Sequence, residues 1–455
     1  MPAYDESRTP DGRPREGYER LLANLGARDL TALADGVEDF LEHYDVSFGV
    51  TAFRVDPVPR LIRQDEWAPL RAGLIQRARA LDRFVADVYG ARRSIADGVV
   101  PAAAVASAEF LEPGLVHALA EQITWISIAG LDVVRCPDGA FQVLEDNVRT
   151  PSGVVYALAA RRAIIDQLDP PEAERPVPIE PSFAILARVL RDAAPEGVDE
   201  PTVAIITDGE SNVAFFEHRT LAERLGVMLV TADQLELRHG ELIARTEGAP
   251  TRIDVLYRRT DEDRLHDPRG GLTGLGELLA GPWTAGRLGL VNGFGTGVAD
   301  DKLVHAHVED LIRYFLGEEP LLNSVPTYDL DTPSRVERVL GRLDELVVKP
   351  RAGHGGQGVV IGPLATPDEL DHVASELRRA PEEYIVQQTV MLSQHPTVCE
   401  GELKLRHVDL RPFVFLSKHE AHVVPGGLTR VAFEEGELIV NSSRNGGAKD
   451  TWVLP

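Results

Sequence analysis

Cysteine is nearly absent. The 455 residues contain only Cys136 and Cys399, which excludes a disulfide framework or a thiolate zinc site. No run reaches the eighteen consecutive apolar residues that a bilayer-spanning helix needs. The opening stretch MPAYDESRTPDGRPREGYER lacks the apolar core of a secretory signal. Basic charge is short as well: Lys and Arg total 47 against 72 Asp and Glu, for a net charge of -25. Such a surface repels phosphate backbones and anionic lipid, so neither nucleic acid nor membrane is expected as the main partner. A small anion held by a few local cations remains compatible with it. No GxSxG, no Cys–His arrangement, no histidine pair at metal-ligand spacing and no GxxxxGK[ST] occurs. These absences together describe a cytoplasmic protein without a covalent nucleophile.

What remains is ordinary globular material, 44% hydrophobic and 26% charged, long enough for roughly two or three domains. Residues 1–16 are expected to be disordered, with amphipathic helices following to about residue 45. FRVDPVPRLI (53–62) alternates as a strand whose prolines suit a sheet edge. Helical spacing over 66–90 starts at Asp65 and stops at Gly90. Proline-rich 170–178 is a linker. Strand PTVAIITDG, helix 213–226 and strand VMLVTA give a βαβ rhythm and a small parallel sheet between about 180 and 298. A helix is expected over 303–316, and Thr366 opens another with a capping box. Strands follow at EYIVQQTV, VDLRPFVFL, HVVPGGLTRVAF and ELIVNSS. The chain thus divides into a tail with helices (1–48), a segment with an acidic hairpin (49–178), an α/β segment (179–298), and a lysine strand, glycine loop and terminal strands (299–455).

In GLDVVRCPDGAFQVLEDN two alternating runs flank Asp138-Gly139, the favoured pair of a two-residue type I′ turn. Counting back from that turn sets Asp132 opposite Glu145, with Asn147 on the same face and Val133 and Leu144 on the other. Opposed carboxylates repel unless a cation sits between them. Two carboxylates and an amide suit Mg²⁺, with phosphates and waters completing its shell. A solvated hairpin with scattered acids has the same pattern, and a register slip of one residue would dissolve the metal set.

ELVVKP ends a short strand at Lys349, and RAGHGGQG follows. Gly353, Gly355, Gly356 and Gly358 let backbone N–H groups approach phosphate oxygens, although a plain flexible hairpin has the same composition. Lys302 lies in the first turn of an acidic helix. Arg411 stands among apolar strand residues, where an unpaired guanidinium is costly, so it should meet an anion or a carboxylate; Arg430 invites the same argument less strongly. GFGTG (293–297) marks a turn, and the stretch NSSRNGGAKD (441–450) has the composition of a binding loop.

Taken together these pieces resemble the ATP-grasp superfamily, with one reversal: the acidic ExN hairpin, normally last, comes first. The phrases RVDPVPR, LEDNVRTPSG, GTGVADDK, RHVDLRPFV, PGGLTRVA and KDTWVLP are similar to a bacterial, circularly permuted ATP-grasp family of the type 2 kind. That resemblance covers nearly the whole chain from about residue 20. It implies an α+β and α/β fold in which two α+β subdomains clamp ATP, with a small α/β domain inserted. It further implies Asp132, Glu145 and Asn147 as magnesium ligands. Lys302 and Lys349 would touch nucleotide phosphates beneath the Gly353–Gly358 loop. Arg149 would meet the substrate carboxylate or acyl phosphate, and Arg411 would face the transferred phosphoryl group. VQQTV would line the adenine pocket, with Gln387 and Gln388 where the superfamily usually has a Glu, so nucleotide preference should be altered. The expected activity is an ATP- and Mg-dependent carboxylate–amine ligase, ADP-forming, acting on an amino acid or small peptide. A phosphotransferase on the same fold, or a silent nucleotide-binding subunit, are the alternatives. Glu217, Arg258 and Asp261 are candidate substrate contacts, each also readable as a surface charge. Nothing in the sequence marks an oligomeric state.

Overall fold

The strand Ile128–Arg135 is buried along its whole length, and the architecture is arranged around it. The computed structural model describes residues 3–118, 123–246, 248–353, 357–438, 440 and 446–455. Ile128–Arg135 belongs to a nine-stranded sheet that runs in the order Ala421–Val423, Phe413–Leu416, Ile128–Arg135, Glu402–Arg411, Leu428–Val431, Gly447–Val453, Arg60–Ile62. Phe141–Asn147 and Gln394–Cys399 pair alongside this path. The pairings are antiparallel except the last, where Thr451–Val453 meets Arg60–Ile62 in parallel. The strand with Pro57 and Pro59 before it therefore lies at the edge, where missing N–H donors cost least.

Helices cover both faces. On one face Leu70, Leu74, Leu81, Phe84 and Val85 of the helix Gln64–Tyr89 pack with Leu131, Val133 and Val414 of the sheet and with Leu311 of Val308–Leu316. Each such side chain contributes roughly 2 kcal/mol relative to exposure. On the other, the helix Val154–Leu168 packs on Phe413, Phe415, Leu428 and Trp452. That helix enters through Gly153, at φ 134°, where a Cβ would lie 2.8 Å from Phe413. Only glycine lets the chain turn so close to the sheet.

Of the four smaller sheets among the described residues, two flank the large one. Gly289–Val291, Val255–Arg259, Val203–Thr207 and Met228–Val230 form a four-stranded parallel sheet. Helix Phe215–Leu225 makes its crossover and ends at left-handed Gly226. Thr327–Tyr328, Tyr384–Gln388, Leu346–Pro350 and Val360–Ile361 form an antiparallel sheet. Its core is shared with the helices Pro333–Leu340 and Pro367–Arg379. Thr366 accepts from the Glu369 N–H while Glu369 accepts from the Thr366 N–H at 2.8 Å, the reciprocal cap expected.

Several expectations are corrected. Residues 3–16 are not disordered: Asp5 bridges to Gln394, and Glu6 is buried against Arg60 at 2.6 and 2.7 Å. The helix expected over 303–316 is broken into Lys302–His305 and Val308–Leu316. The strand expected at ELIVNSS is not formed at 437, 438 or 440, and the rest of it lies outside the described residues. In the expected binding loop, 441–445 lie outside the described residues, but Lys449 and Asp450 are core residues. Lys449 pairs with Asp56, and Asp450 with Arg161.

Removing one partner of a buried ion pair leaves the other charge uncompensated. Arg60→Met should destabilise the fold at neutral pH by roughly 3–5 kcal/mol, read by chemical denaturation. Burial acts to raise the Glu6 pKa, but Arg60 and Arg135 hold it below 4.5. The wild-type pair therefore contributes fully above that value and loses its contribution as pH falls through the lowered one. In the variant Glu6 keeps only Arg135, 4.0 Å away, and the Ser393 hydroxyl against burial, so its pKa rises relative to the wild type and the stability gap between the two proteins narrows towards acid pH.

Candidate functional site

The acidic hairpin turns differently from expectation and still brings the expected residues together. The Cys136 carbonyl accepts from Gly139 N–H, and Cys136 N–H donates to the Ala140 carbonyl, both at 2.8 Å. Gly139 alone is left-handed, at φ 87°, while Asp138 is not. The loop is thus three residues rather than a two-residue type I′ turn. Strand pairs then run Arg135–Phe141, Val134–Gln142 and Val133–Val143, one residue out of the expected register. A bulge between Asp132 and Val133 absorbs Leu144 and restores Asp132 opposite Glu145. Leu144 consequently does not share Val133's core face; it lines the cavity. Beyond the bulge the strand alternates. Glu145 and Asn147 line the cavity, and Asp146, which borders it, has its carboxylate buried against Arg77, at 2.6 and 2.7 Å, and His305 at 2.7 Å.

That cavity, about 760 Å³, lies between the antiparallel four-stranded sheet and the large one. Asp132, Glu145, Asn147, Arg149, Lys302, Lys349, Gly353, Gln387, Gln388 and Arg411 all line it. Gly358 is left-handed and close to Pro350, but its neighbours Gln357 and Val359 do the lining. Gly355 and Gly356 lie outside the described residues. Its size falls in the range of ligand pockets and suits a nucleotide.

The strand arginine meets a carboxylate, as its surroundings required. Arg411 grips Asp132 through two bonds, at 2.6 and 2.9 Å. Arg430 reaches the same carboxylate at 2.9 Å and also holds Asp409. Asp409 and Arg411 are alternate residues of one strand, and Arg430 is paired with Asp409 across the ladder. Burial opposes ionisation of Asp132, yet the two guanidiniums bring it down to about 2. Burial pushes Lys349 down to about 8, with Lys302 adding to the effect and Glu145 opposing it. Lys302 lies 3.5 Å from Glu145 and donates to the Gly353 carbonyl at 2.8 Å. Arg149 lines the wall with its charge offset, at 2.6 Å from Asp300 and 2.7 Å from Asp263, its guanidinium 3.8 Å above the Phe110 ring. Burial raises Asp300 to about 6 against the pull of Arg149.

Among the described residues no three His, Cys, Asp or Glu gather as a metal cage. A hard ion here would rely on one or two carboxylates, an amide and a ligand's phosphates, the usual condition of Mg²⁺. Glu145 is partly open to the cavity, and Asn147 offers an amide oxygen to an ion, its buried amide nitrogen, with no protein partner, being a donor suited to a phosphate oxygen. Those two residues fit such an ion. Both oxygens of Asp132 already accept from arginines, so it has the least freedom of the three.

The 179–298 segment contributes to the cavity walls through Val213, Asp261 and Asp263. Glu217 and Arg258 are neither surface charges nor lining residues of the large cavity. Buried Glu217 accepts from the N–H groups of Gly153 (2.9 Å) and Val155 (3.0 Å), capping the Val154–Leu168 helix, and pairs with Arg259 at 2.9 Å. Arg258 is buried against Asp263. GFGTG is a turn, as expected, but a buried one: Gly297 lines the cavity with Phe110 and Arg149 packed on it. Sequence reasoning gave Arg430 too little weight and missed Asp409; the D-x-R alternation at 409–411 was the available signal.

With this geometry in view, comparison with known proteins is informative. Residues 59–432 match the family described as "Circularly permuted ATP-grasp type 2". A Frankia casuarinae protein named "Putative glutamate--cysteine ligase 2-2" is 44% identical over 407 residues, 88% of this chain and 47% of that protein. An uncharacterised Synechocystis sp. protein is 42% identical over 472 residues, covering 99% of this chain and 97% of its own length. The chain spans about half the length of the curated ligase-named relatives it matches. A solved "glutathione synthetase like-effector" from Globodera pallida superposes with TM-score 0.58 over 95% of this chain and 99% of its own, at 8% identity, a likeness of fold. The chain belongs to the circularly permuted ATP-grasp type 2 family.

Proposed function

We propose that the protein is an ATP- and Mg²⁺-dependent carboxylate–amine ligase that forms an amide through an acyl phosphate and releases ADP. The observation carrying this reading is that one cavity gathers Glu145 and Asn147, two lysines, and the carboxylate-bound pair Arg411 and Arg430. Membership of the ATP-grasp family supports it, as do the names of the Frankia relatives, although each of those names belongs to a protein twice as long.

In this reading Lys302 and Lys349 neutralise nucleotide phosphates, and Glu145, Asn147 and Asp132 would offer oxygens to magnesium. When bound, the ion would supply positive charge that offsets the phosphates. The Tyr384–Gln388 strand supports the base, Gln387 being fixed by its bonds to Leu144 (3.2 Å) and Thr327 (2.9 Å). A substrate carboxylate oxygen attacks the γ-phosphorus, the bond to the β–γ bridging oxygen breaks, and ADP leaves with the electron pair. The amine then attacks the acyl carbon. The bond to phosphate breaks, inorganic phosphate departs and the nitrogen loses a proton to solvent. Arg411 and Arg430 steady the charge that passes between phosphate and carboxylate. Arg149, its charge offset by two aspartates, positions the wall beside them.

Incubation with Mg-ATP and a deproteinised metabolite pool, followed by mass spectrometry, should yield ADP and a new amide. Glu145→Gln should reduce both by roughly a hundredfold or more. ADP with a stable phosphorylated product would establish a phosphotransferase instead, and binding without turnover a silent module.

Lys349 supplies a pH signature. Its ammonium titrates near 8 in the free protein, and an adjacent phosphate raises it. Binding of Mg-ADP should take up most of one proton at pH values about one unit above that point, and hardly any about one unit below it. Calorimetry in buffers of different ionisation heat measures this, and Lys349→Met should abolish the uptake.

A further inference from the structure

A second, smaller chamber adjoins the nucleotide cavity, about 180 Å³ in volume. Arg411, Arg430 and Asp261 line both. Its far wall is aromatic and buried: Phe53 and Tyr156 pack with ring centroids 4.7 Å apart. Asn212 closes one side, donating to Asp261 at 2.9 Å, and Ala214 lies beside it. His218, also in the lining, is kept neutral by burial and by Arg259.

We infer that this chamber is the site of the acyl-donating substrate, and that this substrate is a single small α-amino acid. The volume is below the roughly 300 Å³ at which pockets begin to take drug-sized ligands, so a single small molecule fills it better than a peptide or a second nucleotide. The lining carries both signs, guanidiniums from Arg259, Arg411 and Arg430, each also held by a carboxylate of the protein, and a carboxylate from Asp261, which matches a zwitterion better than a simple carboxylate. The arginines are shared with the nucleotide cavity, so a carboxylate resting on them is the group that meets the transferred phosphoryl. Asp261 then receives the ammonium, and the aromatic wall leaves room for a short side chain only.

This inference rests on the ligase reading but is tested without turnover. The probes are glycine, L-alanine, L-serine and L-cysteine, each beside its analogue without the amino group, titrated calorimetrically into the full protein with Mg-ADP present. At least one amino acid should bind, at least tenfold tighter than its analogue. Asp261→Asn should erase that margin, and Ala214→Leu, which fills the chamber and lies outside the large cavity, should abolish amino-acid binding while leaving Mg-ADP affinity unchanged. Margins that survive both substitutions, or no amino acid bound in preference to its analogue, would overturn the assignment. The two readings separate cleanly. Amino-acid binding moved by both variants without any ATP turnover would sink the ligase and keep the site. ATP-dependent amide formation with an amino-acid affinity indifferent to both variants would sink the site and keep the ligase.

Discussion

Four charged groups on one face of the large sheet hold the site together. Asp132 is gripped by Arg411 and Arg430, and Arg430 in turn holds Asp409. None could be buried alone, because each charge would be left uncompensated. As a neutral quartet they fix the relative positions of three strands, Ile128–Arg135, Glu402–Arg411 and Leu428–Val431. Those strands come from opposite ends of the chain, so the quartet is where the early acidic hairpin and the late arginine strands lock. The large cavity and the smaller chamber meet at the same arginines.

The permuted order of the chain has a physical counterpart in the sheet. The hairpin that comes early in sequence lies between strands that come late, and Thr451–Val453 closes against Arg60–Ile62 in parallel. Backbone pairing does not depend on chain order, provided the connections lie outside the site. Lys349, on the separate antiparallel sheet, then faces the hairpin across the cavity, and Lys302, at the start of the helix Lys302–His305, stands 3.5 Å from Glu145. The opposite side is closed by the parallel-sheet segment, which sends Asn212, Val213 and Asp261 to the cavities and Glu217 to cap the helix that begins at Gly153.

Much of this was legible in the sequence, for reasons that differ by residue. Helix Gln64–Tyr89 and the Thr366 cap follow from local periodicity and capping chemistry, which tertiary packing reinforces. Arg411 was legible because a lone guanidinium in an apolar strand demands a partner. The Asp132–Glu145 pairing was expected correctly through two offsetting errors, a loop one residue longer than assumed and a bulge at Leu144. Bulges have no clear sequence mark, so the register could not have been deduced. The ordered N-terminal segment escaped notice because Glu6 is one acid among many, and only its distant partner Arg60 makes it a core residue. Glu217 was misjudged for the same reason: its partners, the Gly153 and Val155 amides, lie some sixty residues away.

The central claim is that phosphoryl transfer from ATP to a carboxylate takes place over Arg411 and Arg430. Positional isotope exchange tests it most directly, using ATP labelled with heavy oxygen in the β-phosphate and a small amino acid without any amine acceptor. Reversible acyl phosphate formation frees the β-phosphate to rotate, so the label should migrate into the β–γ bridge only when the amino acid is present, and Arg411→Met should stop it. Migration that ignores the amino acid, or that persists unchanged in Arg411→Met, would contradict the account.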